Sequence, residues 1–288
     1  MLGILLAGGT GSRLGPITSV LSKQLLPVYD KPMIYYPLSL LMASQVNKIL
    51  IITTPRDLQS YKQLLGDGGQ WGISIFYKVQ ETPNGLPDAF ILAEDFIDED
   101  GCTMVLGDNL FYGSGMGAKL FSNQRKVGAT VYGYLVNDVS PFGTFQIKKD
   151  SKIANLVEKP INGGKGYAIP GIYHFDSKVS QLSKSLNPSK RGELEIIDLL
   201  KLYLEQDNLN YSILDRGTAW LDTGTTQDLA SASELIRVVQ TRQGMLIGSP
   251  EEVAFRNNWI DKSQLYKMGL QLENSQYGKS LIAICEEH

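Results

Sequence analysis

Histidine and cysteine are both scarce. The 288 residues contain two of each, His174 and His288, Cys102 and Cys285. No Cys-x-x-Cys spacing brings them together, which excludes a structural zinc site of the Cys/His kind. Cys102 opens the apolar run from Cys102 to Leu106, so a buried free thiol in a reducing compartment is expected, and with it the cytoplasm. Long apolar runs are missing too: no stretch approaches the roughly eighteen residues that a membrane helix needs. The segment from Met1 to Ala7 has no basic flank and runs straight into glycines, which suits a first strand better than an export signal. Charge of one sign is also lacking. The net charge is −3, and the 27 Lys and Arg residues form no long basic run. A polyanion-coating role, and therefore a nucleic-acid partner, is excluded.

With 43% apolar residues, the chain can bury one large α/β core plus a small appendage. Short apolar runs bounded by turn residues recur at Gly3–Ala7, Ile49–Thr53, Thr103–Leu106, Ala129–Val136 and Gly171–Phe175, the pattern of strands buried on both faces. Pro32, Pro55 and Pro87 each open a helical pattern between them, running to about Val46, Leu65 and Ile97. The alternation predicts βαβ units and a doubly wound, mostly parallel sheet flanked by helices, a Rossmann-like α/β fold. Ligands then bind at the carboxyl ends of the strands. Beyond Gly224, Leu229, Ala232, Ile236 and Val239 share one helix face. Residues 1–243 are read as the catalytic unit and 244–288 as a mainly helical extension for an interface or regulation.

Motifs that follow strands carry the chemistry. Leu6-Ala7-Gly8-Gly9-Thr10-Gly11-Ser12-Arg13-Leu14 is a Gly-rich turn whose backbone N–H groups can curl around phosphate oxygens. Neither the dinucleotide fingerprint nor the P-loop is present. A tight turn with no ligand would explain the glycines alone, whereas Arg13 beside them suits a bidentate phosphate contact. Lys23, in Ser22-Lys-Gln-Leu-Leu-Pro27, would by itself read as a solvated lysine. Val105-Leu-Gly-Asp108-Asn109 and Trp220-Leu-Asp222-Thr-Gly224 each set an aspartate at a turn, where it serves equally as a cap or as a Mg²⁺ ligand. Two such carboxylates suffice, since Mg²⁺ fills its octahedron with phosphate oxygens and water. Glu158 and Lys159 end a strand and would, alone, read as a surface ion pair.

Taken in order and spacing, these motifs, with Glu158-Lys-Pro160, Tyr29-Asp-Lys-Pro-Met-Ile-Tyr-Tyr-Pro37, Leu65-Gly-Asp-Gly68, Arg191-Gly-Glu-Leu-Glu-Ile196 and Glu251-Glu-Val-Ala-Phe-Arg256, resemble the sugar-1-phosphate nucleotidylyltransferases. The likeness extends from Met1 to about Asp261 and is nearest to the thymidylyltransferase branch. It implies a Mg²⁺-dependent enzyme joining dTTP and glucose 1-phosphate into dTDP-glucose. It assigns Gly8, Gly9, Gly11 and Arg13 to the triphosphate, with Lys23 reaching the phosphates and Gln24 nearby. It makes Asp108 and Asp222 the metal ligands. Gln80 and Gly85 fall where the base edge is read, Gly143, Glu158 and Ile169 at the sugar, and Lys159 at its phosphate. Tyr112, Gly113, Glu252, Val253 and Arg256 fall at a regulatory site for dTDP-rhamnose, in a homotetramer. Departures from the pattern are Glu81 for a proline, Phe142 for a tyrosine, Pro170 for a threonine and Thr226 for a histidine. A uridylyltransferase and a non-catalytic sugar-nucleotide sensor are the alternatives.

Overall fold

The computed structural model describes residues 1–9 and 11–287, so Thr10 of the glycine-rich turn and His288 lie outside the described residues. Four strands form the parallel heart of a ten-stranded sheet, in the order Ser74–Val79, Lys48–Thr53, Leu2–Ala7 and Cys102–Leu106. The inner three are apolar on both sides because both faces are covered, whereas the edge strand Ser74–Val79 is largely exposed or half-buried. Leu5, Ala7, Ile49, Ile51 and Val105 enter one core, while Leu2, Ile4, Leu50, Ile52 and Met104 enter the other, as a period of two requires. The expected strands are all present, and the fold is the mostly parallel, helix-flanked sheet predicted.

From Ile172–Phe175 outward the sheet is mostly antiparallel, the exception being Leu209–Ile213, which pairs parallel with Ala129–Val136. Ile172–Phe175 itself pairs with Cys102–Leu106 on one side and with Ala129–Val136 on the other. The meander of Gly143–Ile147, Ile153–Glu158 and Gly166–Ala168 then extends this edge. These short strands lacked a clear sequence signal, being only partly buried.

The helices open later than their prolines suggest. Pro32 is taken up by a two-residue hairpin with Pro27–Val28, and the helix starts at Tyr35 and ends at Ala43. Pro55 is followed by a turn, and that helix spans Leu58–Leu65. Pro87 caps Asp88–Leu92, which passes at Ala93 into a tighter turn, Glu94–Phe96. At the far end, Thr225 and Asp228 form a reciprocal cap for Thr226–Gln243, and Asp261 with Gln264 does the same for Lys262–Gln271. Pro250–Arg256 and Gln276–Glu287 complete the terminal helices. Leu246, Ala254, Leu265, Leu281 and Cys285 share one core with Leu5 and Leu38. Cys102 and Cys285 are both free and buried. Among the described residues, no helix is long and apolar enough to cross a membrane.

Candidate active site

Parallel register sets the site. Leu6 lies beside Leu106, and the Gly107 N–H donates to the Leu6 carbonyl at 2.9 Å. The turn after the first strand therefore adjoins the turn that carries Asp108. Gly9 and Gly11 have φ of 98° and 58°, backbone that L side chains rarely adopt. Gly11 also has no room: a Cβ there would stand 2.9 Å from Thr18 Cγ2.

Lys23 is brought in from a separate turn and is 7% exposed. Its Nζ donates to Asp108 Oδ2 at 2.7 Å and to the Asp222 carbonyl at 3.2 Å. Thr223 Oγ1 donates to the Asp108 carbonyl at 2.7 Å, so both aspartate-bearing turns are tied together. Thr223 holds a φ of 43°, a strained value for a β-branched residue. Trp220 Nε1 donates to Asn109 Oδ1 at 2.6 Å, and Asn109 Nδ2 to Asp108 Oδ1 at 2.9 Å. Gln24 turns inward: its Nε2 donates to the Gly8 carbonyl at 3.2 Å while its Oε1 accepts from Ser22 at 2.7 Å. It braces the glycine turn from behind.

Two cavities, each of about 210 Å³, meet here. The first is lined by Gly8, Gly9, Gly11, Arg13, Lys23, Gln24, Asp108 and Gly224. The second is lined by Arg13, Asp108, Phe142, Gly143, Glu158, Lys159, Ile169, Trp220 and Asp222, among others. Arg13 and Asp108 belong to both. The Arg13 guanidinium passes over Gly224, where a Cβ would be 3.3 Å from its nitrogens. A wider depression of about 830 Å³, between residues 148–154 and 204–211, contains none of the predicted site residues and no convergent set of catalytic groups.

In the second cavity, Gly143 gives way to its neighbours: a Cβ would meet Ile197 Cδ1 at 3.0 Å and Glu158 Oε2 at 3.2 Å. Its carbonyl accepts from the Ile169 N–H at 2.8 Å. Lys159 has a φ of 45° although Pro160 follows, a position where helical backbone is disfavoured. Burial raises the Glu158 carboxyl above its usual range, opposed by the Lys159 cation. Nearby Glu195 is held below its usual range: burial would raise it, but hydrogen bonds from Ser189 and Arg191 prevail.

Gln80 and Gly85 sit at the rim. Gln80 Nε2 donates to Asp88 Oδ2 at 2.7 Å, and its Oε1 lies beside Gly8. Gly85 bridges to Leu194. Tyr112, Gly113, Glu252, Val253 and Arg256 lie elsewhere. Tyr112 OH donates to Gln243 Oε1 at 2.9 Å, and Arg256 Nε donates to Glu252 Oε1 at 2.7 Å. Gly113 abuts Thr218, and Val253 packs on the main core. No hydrogen bond among the described residues joins Tyr112 or Gly113 to the other three.

A family model for nucleotidyl transferases matches residues 2–238. The chain belongs to the nucleotidyl transferase family. It is 47% identical over 285 residues to the glucose-1-phosphate thymidylyltransferase of Xanthomonas campestris pv. campestris, covering 99% of this chain and 97% of that protein. To the enzymes of that name from Neisseria meningitidis and Mycobacterium tuberculosis it is 46% and 44% identical, over the full length of both chains. A solved UDP-glucose pyrophosphorylase in complex with UDP-glucose superposes with a TM-score of 0.72, covering 83% of this chain and 98% of the other at 21% identity, which shows the shared fold.

For a nucleotidyl transferase, the donor set fits Mg²⁺ in kind. Asp108 and Asp222 carry hard carboxylate oxygens and line one cavity, the kind of donor that Mg²⁺ takes alongside phosphate and water. Among the described residues there is no cluster of three or more His, Cys, Asp or Glu that could hold a metal ion. The roles of Thr223, Trp220 and Asn109 in fixing Asp108 had no local sequence signal beyond their places within the two aspartate motifs.

Proposed function

We propose that this nucleotidyl transferase is a glucose-1-phosphate thymidylyltransferase, forming dTDP-glucose and pyrophosphate from dTTP and α-D-glucose 1-phosphate. The observation that carries the reading is the pair of cavities meeting at Arg13 and Asp108. The full-length likeness to thymidylyltransferases favours this reaction over the uridylyltransferase and sensor alternatives.

A phosphate oxygen of the sugar phosphate attacks the α-phosphorus in line. The bond from that phosphorus to the bridging oxygen breaks, and its electron pair leaves with pyrophosphate. The nucleophile is already an anion at neutral pH, so the protein's work is positioning and charge neutralisation. Gly8, Gly9 and Gly11 cradle the triphosphate. Lys23 and Arg13 neutralise departing pyrophosphate, and Lys159 offsets the charge of the attacking phosphate. Asp108 and Asp222 would hold Mg²⁺, whose chemistry there is to neutralise phosphate oxygens. Gly143, Glu158 and Ile169 seat the sugar, while Gln80 and Gly85 meet the base.

The same proposal extends to a cytoplasmic homotetramer that feeds dTDP-sugar synthesis. Tyr112, Gly113, Glu252, Val253 and Arg256 would bind dTDP-rhamnose as a regulator. Two buried free thiols support the compartment. The test is pyrophosphate release with Mg²⁺, glucose 1-phosphate and each of dTTP, UTP, CTP, ATP and GTP. Release is expected to be fastest with dTTP and to stop with EDTA. Thymine and uracil differ by one methyl group, worth about 1–3 kcal/mol, so slower turnover of UTP is expected. Faster release with UTP overturns the base assignment, and silence with all five overturns the reaction.

A further inference from the structure

Besides Lys23, a second buried lysine lies outside both cavities. Lys31 is 4% exposed, and its ammonium is met from four segments. Asp30 Oδ1 accepts at 2.5 Å, and Gln240 Oε1, from the helix Thr226–Gln243, at 3.0 Å. The rings of Tyr36 and Tyr277 lie 5.0 and 5.3 Å from its Nζ, within cation–π range. Burial lowers the Lys31 pKa, while Asp30, Glu251 and Glu252 oppose that shift.

Each partner of this cation is itself tied down. Gln240 Nε2 donates to Asp30 Oδ2 at 2.9 Å, and its Oε1 also accepts from the Ile247 N–H at 3.0 Å. Tyr277, on the terminal helix, donates its hydroxyl to Glu251 Oε2 and lies 2.8 Å from Ser249 Oγ. On the other side, Lys31 pairs with Val28 in the Pro27–Pro32 hairpin, and Tyr36 OH donates to the Val28 carbonyl at 2.7 Å. The residues just beyond hold the phosphate turn: the Met33 N–H donates to the Leu26 carbonyl and the Ile34 N–H to the Gln24 carbonyl, both at 2.9 Å. Hydrogen bonds and ring contacts from the terminal helices thus reach Lys31, and the backbone from Lys31 to Ile34 carries the connection on to the carbonyl of Gln24, the neighbour of Lys23.

We infer that Lys31 is a positioning residue: it locks the Pro27–Pro32 hairpin against the terminal helices and so fixes Lys23 at the triphosphate. A buried ion pair is weak evidence for stability, because desolvation offsets the attraction. Its directional contacts define one arrangement of the hairpin, where apolar packing would permit several. The inference rests on the reading that Lys23 meets the nucleotide phosphates.

The experiment measures dTTP affinity by titration calorimetry with Mg²⁺ and no sugar phosphate, with pyrophosphate release by the unmodified protein run in parallel. Asp30→Asn combined with Lys31→Met removes both charges together and leaves neither uncompensated. Tyr277→Phe removes one hydroxyl from the far end of the network. The double substitution is expected to weaken dTTP binding about tenfold and Tyr277→Phe about threefold, with no further loss from either in a Lys23→Ala background. Unchanged affinity in both variants overturns the inference. So does recurrence of the same losses in the Lys23→Ala background, which is the mark of general destabilisation. If the double variant does not fold, Tyr277→Phe decides by the same criteria. Unmodified protein that binds dTTP but releases no pyrophosphate overturns the proposed reaction and leaves the coupling readable. Failure to bind dTTP overturns both.

Discussion

Arg13 is the side chain whose loss is most specific. It lines both cavities and, among the described residues, has no carboxylate partner. Truncation therefore breaks no internal ion pair. Arg13→Ala is expected to lower kcat by about 10²–10³ with an unchanged melting temperature, measured by pyrophosphate release and thermal unfolding. His174 is the reverse case, a buried ring with no place in the chemistry. Thr103 and Tyr132 hydroxyls contact its two nitrogens at 2.6 and 2.8 Å, and burial lowers its pKa from 6.5 to about 3. The unfolded chain then takes up this proton first, so its contribution is intact above pH 6.5 and is lost as pH falls toward 3. Between pH 6.5 and 5 the cost is about 1–2 kcal/mol. Urea unfolding at the two pH values should show it, and His174→Gln should remove it. Arg13 was legible in sequence because it sits within one contiguous motif after a strand. Thr223 and Trp220 carry no such local mark for their roles, since each acts on a residue more than a hundred positions away.

At the scale of elements, backbone approach matters more than side chains. Gly85 holds a φ of 100°, and a Cβ there would sit 2.1 Å from the Leu194 carbonyl oxygen. Gly85→Ala must shift that contact and also bears about 1–3 kcal/mol of backbone strain. It is expected to lower the melting temperature and to raise the KM for dTTP more than that for glucose 1-phosphate, by steady-state kinetics. Buried parallel strands were readable because both faces are apolar, so the runs are unbroken. The meander from Gly143 to Ala168 was not, since partial burial leaves neither a continuous run nor a clean alternation. Helix starts were misplaced for a related reason: a proline also fits a turn or a hairpin, as Pro32 does, and only pairing decides which.

For the whole molecule, the terminal helices belong to the main core. Leu246, Ile260, Leu265 and Leu281 pack in the same cluster as Leu5, Ile34 and Ile51. A chain ending at Gln243 would expose that face, and contiguous apolar patches of this kind drive association. Loss of soluble monodisperse protein is expected on sedimentation, with the full chain as control. The helix Thr226–Gln243 was legible from its periodicity, whereas the apolar residues beyond Gly244 are less periodic, and which core they join depends on contacts that span most of the sequence. The wall common to the two cavities bears on direction. For the proposed reaction, one phosphoanhydride is broken as another forms, and the Arg13 guanidinium lines both cavities. Forward and reverse traffic therefore pass the same groups, and net flux follows whichever pool is drained, so removal of pyrophosphate elsewhere makes the step run one way.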